Sequence, residues 1–299
     1  AAPPGEPPRG PRARRWPRAP FLAARLLVRL QRPRAGHHPA HEDEDAAKIR
    51  SMRALLGRGQ PLEGLSAFAK EHGDAEFCRR VLRHYGGDLQ RSMKRYQKAL
   101  LWREANRELL LSRRFALAGD YRVLGVDAAG RPVLYTCLKN QILPVSQGFS
   151  QGVVAMLQAV ENMPAGIDTA THVWDLHGAS LRLAATSPRV LSHLLRPLEV
   201  YFVGRLHEVV VVDLPRLVTP LRDAILAAAP QWLRARVKFM KYEEATEYLQ
   251  RTCTRESSDR LAAAMEQNRD VSIPLSIRRA SWQCLDGRGR LSPFLPREL

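Results

Sequence analysis

The sequence predicts an α/β protein in which a helical N-terminal lobe precedes a mostly parallel β-sheet with flanking helices. Three observations predict it. Apolar residues recur at helical spacing up to about residue 111, two β-prone runs then flank a glycine-containing turn, and strands and helices alternate afterwards. The chain has 299 residues, 45% of them hydrophobic, which suits one or two packed domains of roughly 100–200 residues and excludes a wholly disordered protein.

The net charge of +17 is concentrated in the first 40 residues, which hold nine arginines against one acid. We expect residues 1–45 to be a disordered Arg/Pro-rich leader, with a transit peptide for an organelle as the alternative. No apolar run approaches the ~20 residues that a transmembrane helix needs. The four dispersed cysteines fit a reducing compartment, so the expected location is cytoplasmic.

Residues 46–112 are expected to form the helical lobe. Apolar residues recur there at three- and four-residue steps around Gly86-Gly87, and Asp88 is placed to cap the next helix. The repeating apolar residues are Phe68, Phe77, Val81, Leu82, Leu89, Met93, Tyr96, Leu100, Leu101 and Trp102.

Residues 113–252 are expected to form the α/β domain, followed by a C-terminal helix and tail over 253–299. The runs 121–126 and 131–137 flank a turn and predict a hairpin. The later strands are expected at 172–176, 208–213 and 236–240, and the helices at 147–163, 187–202 and 220–229. Residues 209–212 are apolar on both faces, which is typical of a central parallel strand. From residue 272 onward no period is present, which predicts a tail.

One catalytic motif occurs. Gly148-Phe149-Ser150-Gln151-Gly152 matches G-x-S-x-G, the nucleophile elbow of serine hydrolases. A hydrolase of this kind needs a strand directly before the serine and a histidine after a later strand, but the last histidine, His207, precedes the strand at 209–212. No zinc-ligand spacing or phosphate-binding glycine motif is present. We therefore expect no catalysis, no metal and no cofactor, with a serine hydrolase as a minor alternative.

Four segments, in order, resemble the CRAL-TRIO lipid-binding domain family of phosphatidylinositol transfer, tocopherol transfer and retinaldehyde-binding proteins. The most specific is residues 125–133, which is similar to the family's G-x-D-x-x-G-R-P-V hairpin. Residues 77–103 resemble its helical region and 173–180 its D-x-x-G-x-S strand end. Residues 205–239 resemble its R-L, apolar strand and K-I-x-F pattern. The resemblance covers about residues 75–245.

The resemblance implies an apolar cavity with the sheet as its floor and a gate helix at residues 220–229 over its mouth. The implied lining consists of Tyr135, Trp174, Val210, Val212, Leu217, Leu221 and Ile225. On the gate, Leu217, Leu221 and Ile225 fall at four-residue spacing and would face one side. Arg222 and Asp223 would face the other side. Such a protein would carry one hydrophobic ligand and exchange it at a membrane.

For the polar end of the ligand the resemblance points to Arg205, Arg236 and Ser180. The family's phosphoinositide-binding lysine falls on Arg236, and the arginine of its P-E-R motif falls on Arg205. Its other headgroup arginine falls on Tyr85, and its strand-end asparagine on Asp213. Because of these departures, phosphatidylinositol and a lipid without phosphate both remain open as ligands.

The expected partners are one lipid ligand and, peripherally, anionic membranes, with the protein as a monomer. An interaction module of the same fold, with the cavity filled by side chains, is the alternative. Nucleic acid is disfavoured, because residues 1–40 contain only two aromatic residues, Trp16 and Phe21, among their arginines.

Overall fold

The computed structural model describes residues 39–55, 62–112, 120–140, 149–161, 163–179, 200–216, 219, 222–223, 226 and 231–282. The chain divides into Ala1–Glu42 and Asp43–Leu299. Helix α1 spans Pro39–Ala54 and so crosses the boundary predicted at residue 45. The rest of the predicted leader lies outside the described residues.

In the described residues, four more helices complete the N-terminal lobe: α2 (Ala67–His72), α3 (Ala75–His84), α4 (Leu89–Ala105) and α5 (Arg107–Ser112). The Asp88 carboxylate accepts a hydrogen bond from the backbone N of Arg91 at 3.0 Å, so the predicted cap is confirmed. The core of the lobe is also built from the predicted apolar positions, with Phe77, Tyr96 and Leu100 buried at its centre.

Five strands form one sheet in chain order: β1 (Asp120–Val126), β2 (Pro132–Cys137), β3 (Ala170–Asp175), β4 (Leu206–Val212) and β5 (Val237–Met240). The first two strands are an antiparallel hairpin, and each later strand pairs in parallel with the one before it. The predicted α/β class with a mostly parallel sheet is confirmed.

The hydrogen bonds of the hairpin turn explain the sequence motif at residues 125–133. The Asp127 carboxylate accepts hydrogen bonds from the backbone N of Ala129 and of Arg131, both at 2.9 Å, and pairs with the Arg131 guanidinium at 2.6 Å. Gly130 has φ +81°, a backbone conformation that glycine adopts without cost. The aspartate, glycine and arginine of this motif therefore hold the turn in shape.

The two faces of the sheet are covered differently. Helices α8 (Tyr242–Thr252) and α9 (Arg255–Arg269) pack on one face, which we call the α9 face. Helix α6 (Phe149–Glu161) covers the β1–β2 part of the other, which we call the α6 face. Since side chains alternate along a strand, the α6 face carries Leu134, His172, Trp174, Val209, Val211, Val237 and Phe239.

One predicted element needs correction. The predicted tail contains helix α10 (Leu275–Trp282). Its Leu275 and Ile277 are two positions apart and exposed, so they do not form the apolar stripe that would have predicted a helix.

Of the predicted helix at 187–202, residues 187–199 lie outside the described residues. Val200 is helical and Tyr201 belongs to a turn, so the helix ends two residues before its predicted end. A short helix, α7 (Gln231–Arg234), precedes β5.

Among the described residues, no helix combines the length and the apolar character that crossing a membrane would require.

Candidate functional site

Basic side chains converge at the amino end of the parallel strands, where α3 meets the turn before β4. Arg80 on α3 has a side chain only 5% exposed, and that of Arg205, directly before β4, is 12% exposed. Both guanidinium groups approach Oε1 of the largely exposed Glu76, at 3.6 and 4.0 Å. These separations exceed hydrogen-bond length, so Glu76 compensates the two buried charges weakly.

The remaining partners hold Arg205 in place and leave Arg80 short of acceptors. Arg205 Nη1 donates to the backbone oxygen of Asp168 at 3.1 Å, and the Asp168 carboxylate pairs with the exposed Arg83 at 2.7 Å. The buried Nε of Arg80 has no hydrogen-bond partner. Because Gly204 lacks a side chain, Arg80 can lie against its backbone: a Cβ there would be 2.8 Å from Arg80 Cγ.

The electrostatics of this pair are unfavourable in the absence of an anion. Burial, and then the charge of Arg205, lowers the pKa of Arg80 to about 10. Burial also lowers the pKa of Arg205, with Glu76 and Asp168 opposing the shift. A guanidinium pKa falls only where the charged form is poorly stabilised. A bound anion would supply the stabilisation that the protein lacks here.

Arg236 joins the same end of the sheet from the residue before β5. Its guanidinium donates to the backbone oxygen of Leu206, the first residue of β4. It also acts on His84 at the end of α3, whose pKa is lowered to about 4 by burial first and by Arg236 next. Arg80, Arg83, Arg205 and Arg236, with Glu76 and Asp168, are called the amino-end cluster below.

Two further arginines surround Tyr85, the position on which the family's headgroup arginine falls. Arg95 Nε donates to the Tyr85 hydroxyl at 2.8 Å, and the Arg91 guanidinium lies 5.3 Å from the centre of the Tyr85 ring. Two positive charges of α4 therefore lie beside the Tyr85 side chain.

At the carboxyl end of the strands, an ion-pair network holds Arg269 at hydrogen-bond distance from two carboxylates. Asp175, at the end of β3, is fully buried and accepts hydrogen bonds from the Tyr135 hydroxyl at 2.9 Å, Asn268 at 3.0 Å and Arg269 at 2.9 Å. Arg269 also pairs with Asp213, after β4, at 2.6 Å. One arginine of α9 thus joins the ends of two strands, and the donors around Asp175 are satisfied.

The predicted cavity residues are divided between the two faces of the sheet. Tyr135, Val210 and Val212 lie on the α9 face, where they pack in the cluster that contains Leu249 of α8. Trp174 lies on the α6 face and is partly buried there. An apolar strand does not reveal in sequence which of its two faces a helix will cover, so the sequence prediction mixed both.

The other predicted site residues, Ser180, Leu217, Leu221 and Ile225, lie outside the described residues. Of the predicted gate helix the structure describes four positions with helical backbone: 219, 222, 223 and 226. Arg222, expected on the outer side, reaches the sheet, with its guanidinium 5.6 Å from the centre of the Phe239 ring. At this residue the segment lies over the α6 face, beside Phe239.

Of the hydrolase motif, the structure describes the backbone of residues 149–152. Ser150 lies in the first turn of α6, and β2 ends at Cys137, before a 3-10 turn at Leu138–Asn140. Residues 141–148, which would contain the elbow strand, lie outside the described residues. In the part of the chain that is described, no group of three His, Cys, Asp or Glu side chains is placed to hold a metal ion.

Comparison with known families decides the nature of the sheet domain. Residues 120–259 match the family model described as CRAL/TRIO domain. This segment is a CRAL/TRIO domain. No curated protein matches the chain. Among solved structures, the crystal structure of Sfh5 is similar, with 12% sequence identity and a TM-score of 0.49 over 66% of this chain and 80% of that one.

A CRAL/TRIO domain implies binding or transfer of a lipophilic ligand. In this chain the CRAL/TRIO domain contributes Arg205 and Arg236, and the preceding lobe contributes Arg80 and Arg83. Sequence reasoning missed the latter two. The sequence does contain a signal for Arg80. This arginine follows Phe77 by three residues and therefore shares the apolar face of α3. A charge at a core-facing helical position is a reason to look for an anionic partner.

Proposed function

We propose that the CRAL/TRIO domain, together with the helical lobe, binds one anionic phospholipid and carries or presents it at membranes. The phosphate lies at the amino-end cluster, and the acyl chains lie against the α6 face of the sheet. One observation carries the proposal: the buried Arg80 and the largely buried Arg205 both approach Glu76, and Nε of Arg80 has no hydrogen-bond partner.

The charge balance favours an anion at this site. Four arginines meet two carboxylates: Glu76 is shared by Arg80 and Arg205, and the Asp168 carboxylate pairs with Arg83. A phosphate oxygen accepts two parallel N–H bonds from one guanidinium, which gives direction as well as charge. Arg236 and Ser180 are the further headgroup residues that we propose.

The expected binding free energies assign different roles to the acyl chains and the headgroup of the ligand. Hiding a chain of ~16 carbons from water contributes about 0.8 kcal/mol per CH₂, or roughly 12 kcal/mol for one chain. A charge-assisted hydrogen bond to the headgroup adds only about 1.5–3 kcal/mol. The α6 face and the segment over Phe239 would hold the ligand, and the arginines would select it.

Phosphatidylinositol is the specific ligand that we propose, with release and uptake at an anionic membrane surface. Basic residues near such a surface contribute about 1 kcal/mol each, and the chain carries a net charge of +17. The charge therefore favours cytoplasmic, peripheral contact with anionic leaflets.

The test is a transfer assay with the full chain. Donor vesicles of phosphatidylcholine contain fluorescent phosphatidylinositol or fluorescent phosphatidylcholine, and acceptor vesicles contain phosphatidylcholine alone. We expect faster transfer of phosphatidylinositol by the native protein, and loss of that preference in Arg205→Gln and Arg236→Gln. The matched control is Arg260→Gln, which removes one charge from α9 far along the chain, where Arg260 pairs with the exposed Glu256.

Two results would contradict the proposal. Native mass spectrometry that finds no bound lipid, together with no uptake from either vesicle, would favour the interaction module over a lipid carrier. Equal loss of transfer in Arg260→Gln and Arg205→Gln would show that overall charge, not the amino-end cluster, determines the preference.

A further inference from the structure

A buried histidine on the α6 face has an unused polar atom. His172, in β3, is 7% exposed, and its Nε2 has no hydrogen-bond partner. Its neighbours across the sheet are Leu134 of β2 and Val209 of β4, which are both buried and apolar. An unsatisfied polar atom in such surroundings costs folding free energy. A functional role would explain why the protein retains it.

The imidazole is neutral. Burial by itself lowers the pKa of His172 to about 4, and no charged group contributes to the shift. A neutral imidazole carries one N–H donor and one acceptor nitrogen. With the proton on Nε2, the buried atom can donate to a neutral oxygen, whereas a buried carboxylate or phosphate would demand a cation at this point.

His172 lies on the same side of the sheet as Arg205, a short distance further along. The Arg205 guanidinium contacts Met163 Sδ at 3.5 Å, and Met163 packs with the α6 cluster. Ala170 N donates to the backbone oxygen of Arg205 at 2.7 Å. The guanidinium itself lies at the backbone oxygen of Asp168, four residues before His172, which is about 13 Å at ~3.3 Å per residue of strand and leaves room for a phosphate and a glycerol between the two side chains.

That distance matches the layout of a glycerophospholipid. The ester carbonyls follow the phosphate by a few bonds and mark the start of the apolar chains. They are neutral acceptors, and a lipid-binding protein that buries them must supply donors or lose their hydrogen bonds to water. The α6 face offers Nε2 of His172 at the corresponding depth.

We infer that His172 is a specificity-determining residue of the lipid site, which donates a hydrogen bond from Nε2 to an ester carbonyl of the bound phospholipid. The inference rests on the proposed function, because it requires a phosphate at the amino-end cluster. It adds that the protein distinguishes ester-linked from ether-linked chains, which share the headgroup and differ in the carbonyl.

The experiment measures the affinity of the delipidated full chain for two forms of phosphatidylinositol, diester and diether, of equal chain length. Both are presented in phosphatidylcholine vesicles. The native protein should prefer the diester about three- to tenfold, the range that one hydrogen bond to a neutral group supplies. His172→Phe preserves an aromatic ring of similar size and should bring the ratio to one. His172→Gln can place an amide donor near the position of Nε2 and should restore part of the preference.

The possible outcomes distinguish the role of His172 from the proposed phospholipid site. Equal affinity of the native protein for both lipids, or an unchanged preference in His172→Phe, overturns the role of His172 while the phospholipid site stands. Failure of the native protein to bind either lipid overturns the proposed function and this inference with it. A change in stability alone would alter both affinities together and leave their ratio unchanged.

Discussion

The two ends of the parallel sheet solve the problem of buried charge in opposite ways. At the carboxyl end, Arg269 serves Asp175 and Asp213 together, and the buried Asp175 accepts from three side chains. At the amino end, Arg80 and Arg205 share a distant Glu76, and one nitrogen of Arg80 has no acceptor. An arginine with carboxylates at 2.6–2.9 Å supports the fold, whereas arginines 3.6–4.0 Å from their carboxylate leave room for a ligand to supply the missing acceptor.

The pKa shifts repeat this contrast. Burial alone would lower the pKa of Arg269, but Asp175 and Asp213 more than reverse the effect and raise it. At the other end burial prevails, and the pKa values of Arg80 and Arg205 fall. The pKa of an arginine thus shows whether nearby carboxylates offset the effect of burial on its charge. Three substitutions and one titration test the difference.

The largest effect is expected from Arg269→Met. It leaves Asp175 buried without its cation, and breaking a buried pair costs about 3–5 kcal/mol of unfolding free energy. Urea denaturation of the delipidated chain measures the loss. Arg260→Met, on the same helix, removes a pair with the exposed Glu256 and should cost at most about 1 kcal/mol. Similar losses in both variants would contradict a structural role of the Arg269 ion pairs.

Gly204→Ala should come second, at about 1–3 kcal/mol, since the position has φ +72°. The added Cβ would also lie 2.8 Å from Arg80 Cγ and displace that side chain. Gly166→Ala is the control, because its φ is +86° but nothing lies within 4 Å. We expect the control to destabilise less and to retain phosphatidylinositol binding. Equal behaviour of the two variants would mean that the position of Arg80 does not matter.

Arg80→Met should change the stability of the lipid-free protein by no more than about 1 kcal/mol, and in the stabilising direction if at all. Methionine retains the apolar stem against Gly204 and removes a charge that burial and Arg205 disfavour, although it also loses the contact of the guanidinium with the Phe77 ring. Phosphatidylinositol binding should be lost at the same time. A loss of stability comparable to that of Arg269→Met would show that Arg80 is a structural residue.

The smallest effect is the titration of His84. Its pKa in the folded chain, about 4, lies below the ordinary histidine value of 6.5, so the unfolded chain binds the proton first as the pH falls. The contribution of His84 to stability is therefore present above pH 6.5 and is lost as the pH falls towards 4. NMR titration should show the His84 pKa rising when phosphatidylinositol binds, and rising also in Arg236→Gln. An unchanged pKa with lipid bound would place the phosphate elsewhere.

The sequence predicted the fold through local patterns that packing did not override. The cap at Asp88, the hairpin turn at Asp127 and the apolar run at 209–212 each specify their own element. Prediction from the sequence failed where no local pattern is present. Helix α10 exposes Leu275 and Ile277, so no apolar stripe marks it.

The candidate site was predictable only in part. Arg205 and Arg236 follow from the family resemblance, but Arg80 belongs to α3, a different part of the chain, and proximity of that kind is a property of tertiary packing. The division of Tyr135 and Trp174 between the two faces likewise depends on where α8 and α9 pack. His172 gave no sequence signal, because a histidine in a strand is ordinarily a satisfied core residue.

The Arg269 network also bears on how the protein is made. Arg269 lies 94 residues after Asp175 and 56 after Asp213. At about 5–20 residues per second, a ribosome takes roughly 5–20 s to add the arginine after the first of these aspartates. Until then the two carboxylates of the nascent sheet lack the arginine with which they pair in the folded chain. The carboxyl edge of the sheet is therefore completed late in translation, after the ribosome has passed residue 259, the end of the CRAL/TRIO match.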